Sequence, residues 1–124
     1  VGDIEIVCIR KEKLLFEPGI ETILDQLPKV RGDASNGKQA IRETPEGINL
    51  DCYFATKKNW GYIFAIRTGS SDFSHNTLAK SWVRNGYFGN GGTLFKGNQA
   101  IDIPEEADLF RICGLQYIEP ERRI

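Results

Sequence analysis

Residues 2–7 read GDIEIV, and residues 47–54 read GINLDCYF. In the first run apolar β-branched residues alternate with two acids. That predicts a buried strand from Gly2 to Ile9, with Ile4 and Ile6 turned to a core and Asp3 and Glu5 on the other face. Two carboxylates on one face repel unless a cation or a basic group neutralises them. A hard ion such as magnesium takes such oxygens; an edge strand with a solvated face explains the pair equally. The second run alternates strictly, with Ile48, Leu50, Cys52 and Phe54 facing one way and Asn49, Asp51 and Tyr53 the other. If the two strands are neighbours, Asp3, Glu5 and Asp51 converge on one patch of sheet. Three such carboxylates suit a two-metal site for phosphoryl transfer. The plainer reading of Asp51 is a surface aspartate on a half-exposed strand.

The rest of the chain bounds the possibilities. At 124 residues, 40% hydrophobic and 27% charged, it is one globular unit or two small ones, not a disordered tail. Sixteen basic against seventeen acidic residues give a net charge of −1, which excludes a polycationic nucleic-acid coat. No apolar run approaches the ~20 residues of a membrane helix, so no membrane partner is expected. The three cysteines, Cys8, Cys52 and Cys113, lie in apolar runs without metal-type spacing and read as buried thiols of a cytoplasmic protein.

Further along, Gly19–Leu27 reads as a helix between Pro18 and Pro28, and Lys38–Arg42 as a short polar edge strand. Tyr62–Arg67 reads as a strand, and a helix is expected from about Asp72 to Arg84, stopped by Asn85 and Gly86. Residues 87–103 read as small strands broken by glycine turns. Pro104 then opens a helix with Glu105, Glu106 and Asp108 in its first turns, ending near Cys113 and Gly114. His75 reads as a solvated or capping side chain, and Trp60 and Trp82 as packing residues. Lys and Arg residues such as Lys38, Lys57, Lys58, Lys80 and Arg84 could line a nucleic-acid path or simply meet solvent. The GNGG run at 89–92 lacks the lysine and following helix of a P-loop.

In order, GDIEIV and GINLDCYF are followed by GYIFAIRTGSSDF (61–73), RNGY (84–87), LFKG (94–97) and IPEEADLFRICGLQYIEPERR (103–123). This set resembles the palm-to-thumb segment and C-terminus of family X DNA polymerases, within the nucleotidyltransferase superfamily. The flavour of VGDIEIV and TGSSDF is similar to phage or bacterial members. The resemblance implies an α+β fold: a nucleotidyltransferase palm of mixed sheet and helices over residues 1–68, then a small thumb of helices and a short antiparallel sheet over 69–124. It implies that Asp3, Glu5 and Asp51 bind two magnesium ions (Mg2+, with Mn2+ as substitute), Asp51 helping to activate the primer hydroxyl. It implies that Thr68, Gly69 and Ser70 form the palm–thumb turn, with a cis Gly–Ser peptide lying against the incoming sugar. Ser74 stands where a thumb asparagine reads the base edge. The implied partners are primer–template or gapped DNA and a deoxynucleoside triphosphate (dNTP), in gap-filling repair.

Some features depart from the family pattern. Glu5 replaces the usual aspartate, and Ile66 and Arg67 stand where aromatics meet the sugar. The family's Gly-Ser turn and helix, ahead of the first acid, does not occur in this sequence, and neither does any methionine; a trimmed chain with weak nucleotide binding and little or no catalysis on its own is expected. Two other functions fit less well: a non-templated nucleotidyltransferase and a catalytically silent DNA-binding remnant.

Overall fold

The structure is a computed structural model describing residues 2–11 and 19–124. Its first compact unit, Val1–Thr56, is built on a four-stranded sheet in the order β1-β4-β3-β2. The strands are β1 (Ile4–Ile9), β2 (Lys29–Gly32), β3 (Gln39–Glu43) and β4 (Asn49–Ala55). β1 runs parallel to β4, and β3 is antiparallel to both β4 and β2. The alternation read in β4 holds: Cys52 and Phe54 enter a core with Leu24, Ala34 and Ala40, and Leu50 packs against it. Helix α1 (Ile20–Leu24) supplies Leu24. It is shorter than expected because the chain leaves the helix at Asp25; Pro18, the expected opening residue, lies outside the described residues.

Two strand readings need correction. β1 is not buried: among the described residues it has a strand neighbour on one side only, and Ile4 is 46% and Ile6 36% exposed. β3 is not an edge strand. It lies between β2 and β4, with Ala40 fully buried. Its charge is tolerated there because the buried Arg42 guanidinium donates to the carbonyls of Arg31, Gly32 and Ile41. Hydrogen bonding of this kind offsets the cost of burying a cation. β2 forms as the partner of β3.

The second unit, Lys57–Ile124, contains α2 (Trp60–Thr68), a π-helical segment (Phe73–Ala79) continued by α3 (Lys80–Arg84), and α4 (Glu106–Ile112). A three-stranded antiparallel sheet joins β5 (Phe88–Asn90), β6 (Thr93–Lys96) and β7 (Gln99–Ile101) in that order. The expected strand at Tyr62–Arg67 is a helix. Its aromatic and β-branched residues favour strand locally, but tertiary packing overrides so weak a preference. Tyr62 and Ala65, one helical turn apart, are both buried in a core with Phe73, Leu78, Trp82, Leu109 and Phe110. Gly61 lets α2 press against the start of α4, for a Cβ there would overlap the Glu105 carbonyl. Packing on α4 places α2 in the second unit, so the two compact units divide between Thr56 and Lys57.

α4 begins where Asp108 accepts the Glu105 N–H at 3.1 Å, and Gly114 (φ 71°) turns the chain out of it. A 3-10 turn, Pro120–Arg122, follows. The whole is the α+β arrangement expected: a mixed sheet with helices, then helices with a short antiparallel sheet. Cys8, Cys52 and Cys113 are free thiols, and burial pushes Cys52 and Cys113 up to about 11. Among the described residues, no helix is long and apolar enough to cross a membrane.

Candidate functional site

The register of the first sheet sets out one face as a small grid. Glu5 on β1 is the direct partner of Asp51 on β4, which is the direct partner of Ile41 on β3. One row along, Val7 pairs with Tyr53, and Tyr53 with Gln39. Partners in a ladder share a face, so Glu5 and Asp51 stand side by side, as read from the sequence. Asp3 lies ahead of β1, two residues before Glu5, and is exposed. Gln39 Nε2 crosses from β3 to donate to Asp51 Oδ1 at 2.9 Å and to Tyr53 Oη at 3.0 Å.

The expected three-carboxylate cluster is not assembled. Among the described residues, no group of three His, Cys, Asp or Glu side chains is placed to hold a metal ion. Like charges on one face repel, Asp3 lies outside the ladder, and Asp51 is engaged by Gln39 across the sheet. The pair Glu5 and Asp51 fits a hard divalent cation in donor chemistry and in register. Asp3 is of the same donor type but is not brought into the group.

In the second unit, Thr68, Gly69 and Ser70 close α2. Thr68 Oγ1 donates back to the Phe64 carbonyl at 2.6 Å, and Gly69 turns the chain at φ 70°. The Gly69–Ser70 peptide is cis, as the resemblance implies. Ser70 is held three ways. Its Oγ accepts the Phe73 N–H at 3.2 Å, its carbonyl accepts the Ser74 N–H at 2.9 Å, and its own N–H donates to the Arg123 carbonyl at 3.2 Å. Ser74 Oγ donates to the Ile66 carbonyl at 2.8 Å. Its single proton is therefore spent, and Ser74 Oγ is left an acceptor only.

The tail reaches this turn through a buried ion pair. Arg123 Nη1 meets Glu106 Oε2 at 2.6 Å, Nε donates to the Ile118 carbonyl at 2.9 Å, and the guanidinium lies 5.0 Å from the Phe110 ring centroid. Tyr117 Oη donates to Glu106 Oε1 at 3.3 Å, while burial and then the Glu106 charge raise the Tyr117 hydroxyl. A pocket of about 430 Å³ opens beside the turn, with Tyr62, Ile66 and Trp82 as apolar wall and Arg67, Ser74 and His75 as polar lining. His75 is exposed, and Trp60 stacks on Phe64 with centroids 4.9 Å apart. Sequence reasoning missed Gln39, Glu106 and Arg123. Gln39 sits in a stretch read as a polar edge strand, and 16 residues of sequence separate the ion-pair partners, so no spacing rule marks them.

No family model matches the sequence, and no curated protein matches it. Among solved structures, the chain is similar to the polymerase beta of Leishmania infantum in a ternary P/T complex. The TM-score is 0.69 at 18% identity, over 100% of this chain and 62% of that one. The likeness establishes a polymerase-beta-like fold; this chain spans 62% of the length of the protein it matches.

Proposed function

We propose that this chain is the palm-and-thumb part of a DNA polymerase of family X type. The observation that carries the reading is the direct pairing of Glu5 with Asp51 on one face of a sheet whose fold is polymerase-beta-like. The reaction would be attack of a primer 3′ hydroxyl on the α-phosphorus of a dNTP. One P–O bond forms to the primer, the α–β bridging P–O bond breaks, and pyrophosphate leaves. Glu5 and Asp51 would hold a divalent cation of the magnesium class, and Asp3 would join them. Such an ion supplies neutralisation of the charge that develops on the phosphate oxygens. Asp51 would orient the attacking hydroxyl. The Thr68–Ser70 turn, pinned from three sides, would present a fixed surface to the nucleotide, and gap filling on primer–template DNA is the corresponding role.

Primer extension on recessed and one-nucleotide-gapped DNA, with Mg2+ or Mn2+ and a single labelled dNTP, tests the proposal. Extension by a full-length parent that contains this segment is expected, and Asp51→Ala in that parent abolishes it while circular dichroism is retained. Extension that survives Asp51→Ala refutes it. A second reading is a catalytically silent DNA-binding module, which the near-neutral balance of sixteen basic and seventeen acidic residues favours. DNA binding with an ordinary salt slope, unmoved by nucleotide and metal and without extension, would select that module.

A further inference from the structure

We infer that Gln39 is a positioning residue for Asp51, an assignment that rests on the function proposed above. Asp51 has Glu5 beside it on β1, a like charge, and Ile41 beside it on β3, which offers no hydrogen bond. The donor comes from the diagonal position. Gln39 Nε2 gives one N–H to Asp51 Oδ1 at 2.9 Å and the other to Tyr53 Oη at 3.0 Å. A carboxylate only accepts, so the amide nitrogen must face it, and both amide donors are then used.

The strand beneath is fixed as well. Gln39 pairs with Tyr53 in the ladder, the Phe54 N–H donates to the Lys38 carbonyl at 2.9 Å, and a Cβ on Gly32 would overlap the Gln39 carbonyl. The amide therefore approaches Asp51 from a rigid element, and Tyr53 holds its plane.

The chemical consequence lies in the neutrality of the donor. A lysine or arginine at this place would orient the carboxylate but would also neutralise it and compete with a cation. An amide leaves the full negative charge in place. It occupies Oδ1 and leaves Oδ2 as the oxygen for an ion shared with Glu5. Groups that hydrogen-bond a ligating carboxylate typically change metal affinity or activity by roughly 10–100-fold when removed.

The test is Mn2+ titration of the whole chain, read as loss of the free-ion electron paramagnetic resonance signal. Gln39→Met keeps length and removes the donor; it is expected to weaken Mn2+ binding by about tenfold or more with circular dichroism retained. In extension assays it is expected to lower kcat with little change in KM for the nucleotide. Mn2+ affinity equal to wild type in Gln39→Met overturns the inference and leaves the proposed function standing, whatever happens to stability. Should Gln39→Met not fold, Tyr53→Phe removes the anchor instead. It is expected to weaken Mn2+ binding in the same direction, and wild-type affinity there is equally fatal. If the wild-type chain binds Mn2+ no better than Asp51→Asn, the function and the positioning role fall together.

Discussion

Removing either half of the Glu106–Arg123 pair should unbalance the second unit, and unequally. The Arg123 side chain is 0% exposed and that of Glu106 is 11% exposed. Glu106→Ala strands a buried guanidinium whose Nη2 already has no hydrogen-bond partner. Breaking a buried ion pair from one side costs about 3–5 kcal/mol, and Glu106→Ala belongs in that range. Arg123→Ala leaves Glu106 partly in reach of water and still accepting from Tyr117, so the carboxylate is less stranded. Its cost is the lost contact over Phe110 plus an unpaired but hydrated acid, about 2–3 kcal/mol. The double variant removes both charges and should cost about 1–3 kcal/mol less than the sum, the coupling found between contacting residues. Urea unfolding followed by tryptophan fluorescence is the appropriate assay, because Trp60 and Trp82 both lie in this unit. Single costs under about 1 kcal/mol that simply add would match an exposed surface pair and refute the burial argument.

Gly61→Ala sets two effects against each other. Alanine favours a helix by about 1 kcal/mol over glycine, but its Cβ would overlap the Glu105 carbonyl and lie 2.7 Å from Glu106 N. These are backbone atoms that cannot rotate away, and overpacking costs about 1–3 kcal/mol, so a lowered urea midpoint is expected and a raised one contradicts the close approach of α2 to α4. The thiols predict an alkaline limb. Cys52 and Cys113 ionise at the ordinary 9.0 when unfolded and at about 11 when folded. Their stabilising contribution is complete below pH 9 and is lost as pH rises toward 11, by on the order of 1–2 kcal/mol per thiol at pH 10.5. Cys113→Ala should flatten that decline in urea midpoints taken at pH 8, 9.5 and 10.5; an unchanged slope would place the thiol in contact with solvent. Alkylation by iodoacetamide at pH 8 should likewise be slow for Cys52 and Cys113 until urea opens the chain.

Much of this protein is legible in local pattern. The strict alternation of residues 48–54 gave β4 and its inward face, because a half-buried strand must alternate. Pro104, the acids Glu105, Glu106 and Asp108 after it, and Gly114 beyond marked α4, since helix starts, the helix dipole and left-handed turns use only neighbours in the chain. The TGS run marked the turn at Thr68–Ser70 through a resemblance spread over the whole chain. Such signals are local or inherited, and a sequence carries both.

What the sequence left open depends on which elements meet. Tyr62–Arg67 had strand-forming side chains and became helix because Gly61 meets the start of an α4 some forty residues away and Tyr62 and Ala65 share a core with Phe73, Trp82 and Leu109. β1 and β3 exchanged their expected places, buried for edge and edge for interior, because strand order is a property of pairing and not of composition. Asp51 is the sharpest case. Sequence put it on one patch with Asp3 and Glu5 if their strands are neighbours, but the amide that holds it comes from a third strand on the diagonal of the sheet. Hydrogen bonds act over about 3 Å of space without regard to chain distance, so that contact exists only once the strands are laid side by side.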